Sequence, residues 1–531
     1  MQEDTLKALV KSLIQEYSSG SAAKTSAVNQ PEAISNPDVT ISAQSLIQEY
    51  QAKATPKTEV SVQPQKNLSN DKAVCVEALI QEYNLTSGSA LTSDNQNGVY
   101  TSVDHAISAA VKAQAAYEQL TLEMRQKVVN SIRKGMMPFV EEFARATVEE
   151  TGMGRVEDKV KKIQLTIDKT PGVEDLHTDV ETGDNGMTLY ELSAYGVIVA
   201  ITPSTNAVET LICNAIGMLA AGNSVCFSVH PGAAKVSQRA VAELNKIIYE
   251  ACGIRNMLTT ISEPSIETSK EMMRHPAVSL LVVTGGPGVV HEAMISGKKV
   301  IGAGAGNPPA IVDETANIEK AAADIVAGAS FDNNILCIAE KSVIAVKEIV
   351  PKLITEMEKN GAYYVQDEEI VNKLVEMTIT ESGHPSRKYI GKDAKVILKA
   401  AGVDVECDVR IIIMKTSKEH PFVVKEMLMP ILPIVMVECF DEALEVALEV
   451  EQNLHHTATM HSQNTSRLNK AAKKIQTSIF VKNGPSYAGL GYGGEGSATF
   501  TIATPTGEGT TTARHFARRR RCVLTDGFSI R

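Results

Sequence analysis

The chain has 531 residues, 43% of them apolar, no tryptophan, and a formal net charge of −11. That length allows about three domains, and the acidic balance argues against a nucleic-acid-binding role. No apolar run reaches the roughly 18 residues of a membrane span, and the amphipathic start carries Glu3, Asp4 and Glu16, unlike a secretory leader.

The first hundred residues hold Leu-Ile-Gln-Glu-Tyr three times, at Leu13–Tyr17, Leu46–Tyr50 and Leu79–Tyr83, at intervals of 33 residues. Around the first copy Leu6, Leu9, Val10, Leu13, Ile14 and Tyr17 lay one apolar stripe along a helix. Such a helix is too short to be stable alone in water, so its stripe is expected to dock on something. Residues 18–37 and 51–70 are rich in Ser, Ala, Thr, Gln, Asn and Pro and read as flexible tethers.

Helical periods follow at about 103–118 and 122–151. Gly196–Thr202 reads as a buried strand, with a helix through Leu219 after it and a second strand at Asn223–Val229. A helix near 233–251 and a strand at Ser279–Thr284 follow. This β-α-β-α-β order predicts a parallel sheet wound with helices, Rossmann-like in its logic. A second α/β region runs from about Asn307 to Tyr487, and the tail from Ala498 to Ile530 is β-leaning. The basic cluster Arg518–Arg521, with Arg514 upstream, is expected to pair with acidic neighbours or to meet another subunit. The eight cysteines show no Cys-x-x-Cys and no disulfide rhythm, the usage of a reducing cytosol. No Cys/His group has metal-ligand spacing. His455, His456 and His461 come nearest, and a structural role is expected for them.

Four segments can carry chemistry. Cys337 follows Asp332, Asn333 and Asn334, and a helix-like run beside it would give the thiol thiolate character. Thr202-Pro203-Ser-Thr-Asn206 sits just past a strand's carboxyl end, where α/β folds place ligands, and Asn206 can donate to a developing oxyanion. Val283-Thr284-Gly285-Gly286-Pro-Gly288 is a strand–turn–helix junction whose glycines let phosphates approach a helix start. Ile301-Gly302-Ala-Gly-Ala-Gly-Asn-Pro-Pro309 leaves the backbone bare at alternate positions, as though something lies against it.

In this order the four segments resemble the aldehyde dehydrogenase superfamily, over roughly residues 98–531, and within it the coenzyme A-acylating enzymes of bacterial microcompartments. The resemblance implies that Cys337 is the nucleophile and that Asn206 stabilises the oxyanion. NAD would lie against Thr202, Pro203, His230 and Pro231 (where the family has Lys-Pro), Thr284, Gly285 and Gly286. Glu426, in Lys-Glu-Met-Leu-Met-Pro430, corresponds to the Glu that holds the nicotinamide ribose, although Leu428 and Met429 stand where the family shows Phe and Gly. Hydrolytic members carry a water-activating Glu in Leu-Glu-Leu-Gly-Gly; here Gly302 takes that place. Without that base a thioester on Cys337 would pass to a thiol, coenzyme A, with the bare backbone near Gly302 giving the cofactors room.

The implied fold is α/β. A targeting extension would span 1–95. An NAD-binding domain would span 96–303, with an oligomerisation segment near 184–196. A catalytic domain at 304–490 and a C-terminal oligomerisation segment at 491–531 would complete it. The expected reaction converts acetaldehyde or propionaldehyde and coenzyme A to acyl-coenzyme A with reduction of NAD. Implied partners are microcompartment shell or cargo proteins, reached through the N-terminal helices, and a second copy in a homodimer or homotetramer. No nucleic acid or membrane partner is expected. The alternatives are a hydrolytic aldehyde dehydrogenase, a phosphorylating semialdehyde enzyme, or a non-catalytic scaffold.

Overall fold

The computed structural model describes residues 97–528. The three repeats and their tethers lie outside the described residues.

Six parallel strands form the first sheet. Their spatial order is Val99–Tyr100, Leu258–Ile261, Ser224–Ser228, Val197–Ile201, Val278–Thr284 and Lys299–Ala303. The strand Val197–Ile201 is wholly buried, as a strand covered by helices on both faces must be. From there the chain builds outward first to one side and then to the other. The carboxyl end of this strand is therefore the switch point where open α/β sheets take ligands. The helices Ala207–Ala220 and Ala234–Cys252 pack on the sheet and share its core. The helical period read through 122–151 divides into Leu122–Met136 and Val140–Thr151. Between them Met137–Phe139 makes a single 3-10 turn, because Pro138 has no N–H to continue the ladder. The strand Leu258–Ile261 and the helix Ile266–Arg274 escape the sequence reading, the strand because four residues are too few to show a period.

Seven parallel strands form the second sheet, in the order Ala362–Tyr364, Ile411–Thr416, Ile431–Val437, Ser342–Val346, Pro309–Val312, Thr457–His461 and Ile479–Lys482. Three successive neighbours, Ser342–Val346, Pro309–Val312 and Thr457–His461, run in register. Their amino ends lie side by side, and that fact assembles the site below.

A third, antiparallel sheet joins Asp179–Gly183, Gly186–Ala194 and Ala517–Thr525. The last strand carries the basic cluster. Arg519 bonds Asp179 at 3.2 Å, and both Arg519 and Arg521 lie over the Tyr190 ring. Arg519 and Arg521 are thus partnered within the chain, by an acid and by an aromatic face, and Arg518 lies over the Tyr195 ring. The preceding residues Ile502–Ala503 and Gly509–Thr510 form a small ladder against the edge of the first sheet.

Candidate active site

Cys337 sits in a turn between a short 3-10 helix, Phe331–Asn334, and the strand Ser342–Val346. It does not stand at a helix start, so the expected thiolate-favouring dipole is missing. Burial pushes the thiol up to about 12; Glu426 adds to the rise, while Lys341 opposes it. The expectation of a pre-formed thiolate is corrected by this geometry.

The turn is fixed from below and from the side. Asp332, Asn333 and Asn334 all have left-handed backbone, with φ of 49°, 54° and 65°. Asn and Asp tolerate this region because their short side chains bond locally. Here those bonds are specific. Asp332 accepts the Arg155 N–H at 2.8 Å, and Asn333 donates to the Gly391 carbonyl at 2.9 Å. Asn334 donates to the carbonyls of Ala329 and Glu340. Lys341, buried under the turn, donates to Asn334 Oδ1 at 2.6 Å and to the carbonyls of Asn334 and Leu336 at 2.8 and 3.0 Å. Burial pushes its ammonium down to about 8, against the pull of Glu426 and Cys337.

Adjacent strands bring Gly306 and His456 to the same place. A Cβ at Gly306 would lie 2.7 Å from the Cys337 carbonyl oxygen and 2.8 Å from His456 Cγ, so only glycine lets these segments meet. His456 is 1% exposed, and its Nδ1 pairs with Thr457 Oγ1 at 2.9 Å while Nε2 has no partner. Burial pushes the ring down to about 4, the Lys341 charge adding to it. A neutral imidazole with a free ring nitrogen therefore stands beside the Cys337 segment.

Burial pushes the carboxyl of Glu426 up to about 7, against the attraction of Lys341 and the pull of the Gly306 N–H. It stands in a loop in which Leu428 takes left-handed φ, 53°. An apolar wall flanks Cys337, with Phe331, Tyr487 and Tyr492 packed ring to ring and Leu165 and Phe500 in the same cluster.

On the cofactor side, Thr202 and Asn206 lie just past the carboxyl end of Val197–Ile201, with Pro203 between them. Thr202 is 2% exposed and its hydroxyl has no partner. Asn206 occupies the cap position of Ala207–Ala220 yet makes no capping bond. Its Oδ1 instead accepts from Lys162 Nζ at 2.6 Å. His230 is exposed ahead of Pro231, its Nδ1 accepting the Gly232 N–H at 3.0 Å. Thr284 ends its strand with its hydroxyl paired to Thr501, and Gly285 and Gly286 lead into the helix Pro287–Met294. Nothing lies within 4 Å of a Cβ built on Gly286 or Gly288, so this helix start is open to a pyrophosphate. An unpartnered hydroxyl and an open helix start at one switch point fit a dinucleotide.

The glycine run before Cys337 has a different cause from the one expected. Val290 and Thr506 cover Gly302, and Pro505 covers Gly304. The bare backbone there accommodates the chain's own tail. What remains of the reading is chemical: Gly302, in the strand Lys299–Ala303, brings no carboxylate.

Comparison with known proteins agrees with this geometry. The aldehyde dehydrogenase family model matches residues 80–503. A CoA-propanoylating propanal dehydrogenase of Citrobacter freundii is 54% identical over 436 residues, 82% of this chain and 94% of that one. The structure of Rhodopseudomonas palustris propionaldehyde dehydrogenase, with bound CoA and an acylated cysteine, superposes with a TM-score of 0.81 at 52% identity, covering 82% of this chain and all of that one. A propionaldehyde dehydrogenase from the fucose utilisation bacterial microcompartment of Clostridium phytofermentans gives 0.80 at 48% identity, with coverage of 82% and 100%.

Proposed function

This chain belongs to the aldehyde dehydrogenase family, and from that premise we propose the residue roles that make it a coenzyme A-acylating member. It oxidises a short-chain aldehyde, propionaldehyde or acetaldehyde, to the acyl-coenzyme A with reduction of NAD, through a thioester on cysteine. The observation that carries the assignment of roles is the meeting of Cys337, Gly306 and His456 at three adjacent strand ends, with glycine at 302.

Cys337 gives up its thiol proton to water and adds through sulfur to the aldehyde carbonyl. Asn206 Nδ2 and the Cys337 N–H hold the oxyanion. The apolar wall of Phe331, Tyr487 and Tyr492 takes the short alkyl chain. Thr202, Pro203, His230, Pro231 and the turn Thr284–Gly286 would hold the dinucleotide, and Glu426 would hold its nicotinamide ribose. When bound, NAD supplies the hydride acceptor. His456, with its proton on Nδ1 and bonded to Thr457, takes the coenzyme A thiol proton at Nε2. The thiolate then attacks the thioester, and Cys337 takes the proton from His456 Nε2 and leaves as the thiol, restoring the neutral imidazole. Water finds no carboxylate at position 302 to activate it.

An assay of aldehyde and NAD without coenzyme A should show one NADH per site and then almost stop. Rapid continued turnover to free acid would overturn the assignment. Residence in a microcompartment is the reading supported by the three N-terminal repeats and by the microcompartment origin of the Clostridium relative. Removing residues 1–95 is expected to spare activity and release the enzyme from shells; loss of activity would refute an addressing role.

A further inference from the structure

Beneath the oxyanion residue lies a charge cluster that the mechanism above does not use. Lys159, Lys162, Glu209 and Asp332 are each at most 1% exposed. Lys162 Nζ has three N–H donors and three oxygens around it: Asp332 Oδ2 at 2.5 Å, Asn206 Oδ1 at 2.6 Å and Glu209 Oε1 at 3.0 Å. Lys159 Nζ shares Asp332 Oδ2 at 3.1 Å and donates to the Thr205 carbonyl at 3.2 Å. The two cations and two carboxylates cancel. Burial alone would favour the neutral amine of Lys162, but Asp332 and Glu209 hold its proton above the ordinary lysine range.

Two consequences follow from this arrangement. An ammonium can only donate, so it faces the oxygen of the Asn206 amide and leaves Nδ2 turned away from it. Asp332 stands five residues before Cys337 in the same rigid turn, whereas Asn206 begins a helix of the cofactor sheet. One nitrogen, Lys162 Nζ, thus spans the nucleophile loop and the oxyanion donor. Resting on the reading of Asn206 as that donor, we propose that Lys162 is a positioning residue that sets the direction of the Asn206 amide and its placement relative to Cys337.

The test compares losses on two reactions of the same sulfur. Lys162→Met alone leaves a buried carboxylate in excess, which threatens folding. Lys162→Met combined with Glu209→Gln keeps one cation and one carboxylate, and Glu209→Gln serves as its reference. Burst NADH formation from propionaldehyde should fall about 10²-fold in the paired variant, the scale of losing one oxyanion donor, with KM little changed. Modification of Cys337 by a small neutral disulfide develops no oxyanion and should stay within about threefold, which also shows that the nucleophile loop is intact. Adding Asn206→Ala should cost nothing further, because the two residues act through one bond. Losses that multiply, a burst rate within threefold of the reference, or a parallel fall in thiol modification each overturn the inference. If Asn206→Ala alone leaves the burst unchanged, it is the oxyanion reading itself that fails.

Discussion

The cofactor-free enzyme should carry a sluggish nucleophile, and the geometry sets how sluggish. Enclosure raises the Cys337 thiol from 9.0 to about 12. At any pH below 9 that removes about 10³-fold of its thiolate. A more basic thiolate is also a better nucleophile, by roughly 15–30-fold over three pH units at a Brønsted slope of about 0.4–0.5. The net expectation is a reaction about 30–60-fold slower than that of an ordinary exposed thiol. Cys407 and Cys439, both exposed, are internal standards on the same chain. Timed exposure to a small neutral disulfide, read by mass spectrometry of the three peptides, measures the ratio. Steric shielding would slow Cys337 equally at every pH. An elevated thiol instead makes its rate climb about tenfold per pH unit up to pH 10 and beyond. A plateau near pH 8, or parity with Cys407 at pH 7.5, would refute the reasoning.

Three further outcomes follow from the same site. His456→Ala should keep the single NADH burst but lower coenzyme A-dependent turnover by about 10²–10⁴-fold, the usual worth of a positioned acid–base group; loss of the burst would place His456 in the first half-reaction instead. Gly306→Ala would force a methyl within 2.8 Å of both the Cys337 carbonyl and His456, and should lose most activity together with about 1–3 kcal/mol of stability; urea melts and turnover would both register it, and an unchanged variant would show that these segments are loosely packed. Glu340, fully buried on Ser486, has its carboxyl pushed up to about 7 by burial. Between pH 4.5 and 7 folded Glu340 holds a proton the unfolded state has lost, so its contribution to stability falls as pH rises through that window, by at most about 3 kcal/mol. Glu340→Gln should flatten this slope in melts taken at pH 5 and pH 8.5, and an unaltered slope would refute the assignment.

The cofactor half was largely legible because its strands are long apolar runs and its ligand-binding turns follow them directly. Thr202, Asn206 and Thr284–Gly286 reach one switch point through strand order alone. The catalytic half was not. His456 reads as an ordinary residue until the strand Thr457–His461 is known to lie beside Pro309–Val312, which no local pattern states. Lys159 and Lys162 look like solvated helix charges. The available signal was their place on the inner stripe of Val156–Lys169, where Ile163 and Thr166 continue the same face. The glycines at 302 and 304 misled for a related reason: a missing side chain marks a close neighbour without saying whether it is a ligand or the chain's own tail.

The left-handed run Asp332–Asn334 also orders events in time. Asn334 is held by neighbours in sequence, Ala329, Glu340 and Lys341, but Asp332 and Asn333 are held from far along the chain. Their restraints come from Arg155, synthesised long before, and from Gly391 and Asp393, synthesised after. A chain still emerging from the ribosome lacks the later restraints and exposes only a commonplace thiol. The meeting of Cys337 with Gly306 and His456 is therefore completed only after these later segments have been made and have closed on the turn. A small neutral disulfide should accordingly label this cysteine faster in nascent chains than in completed ones.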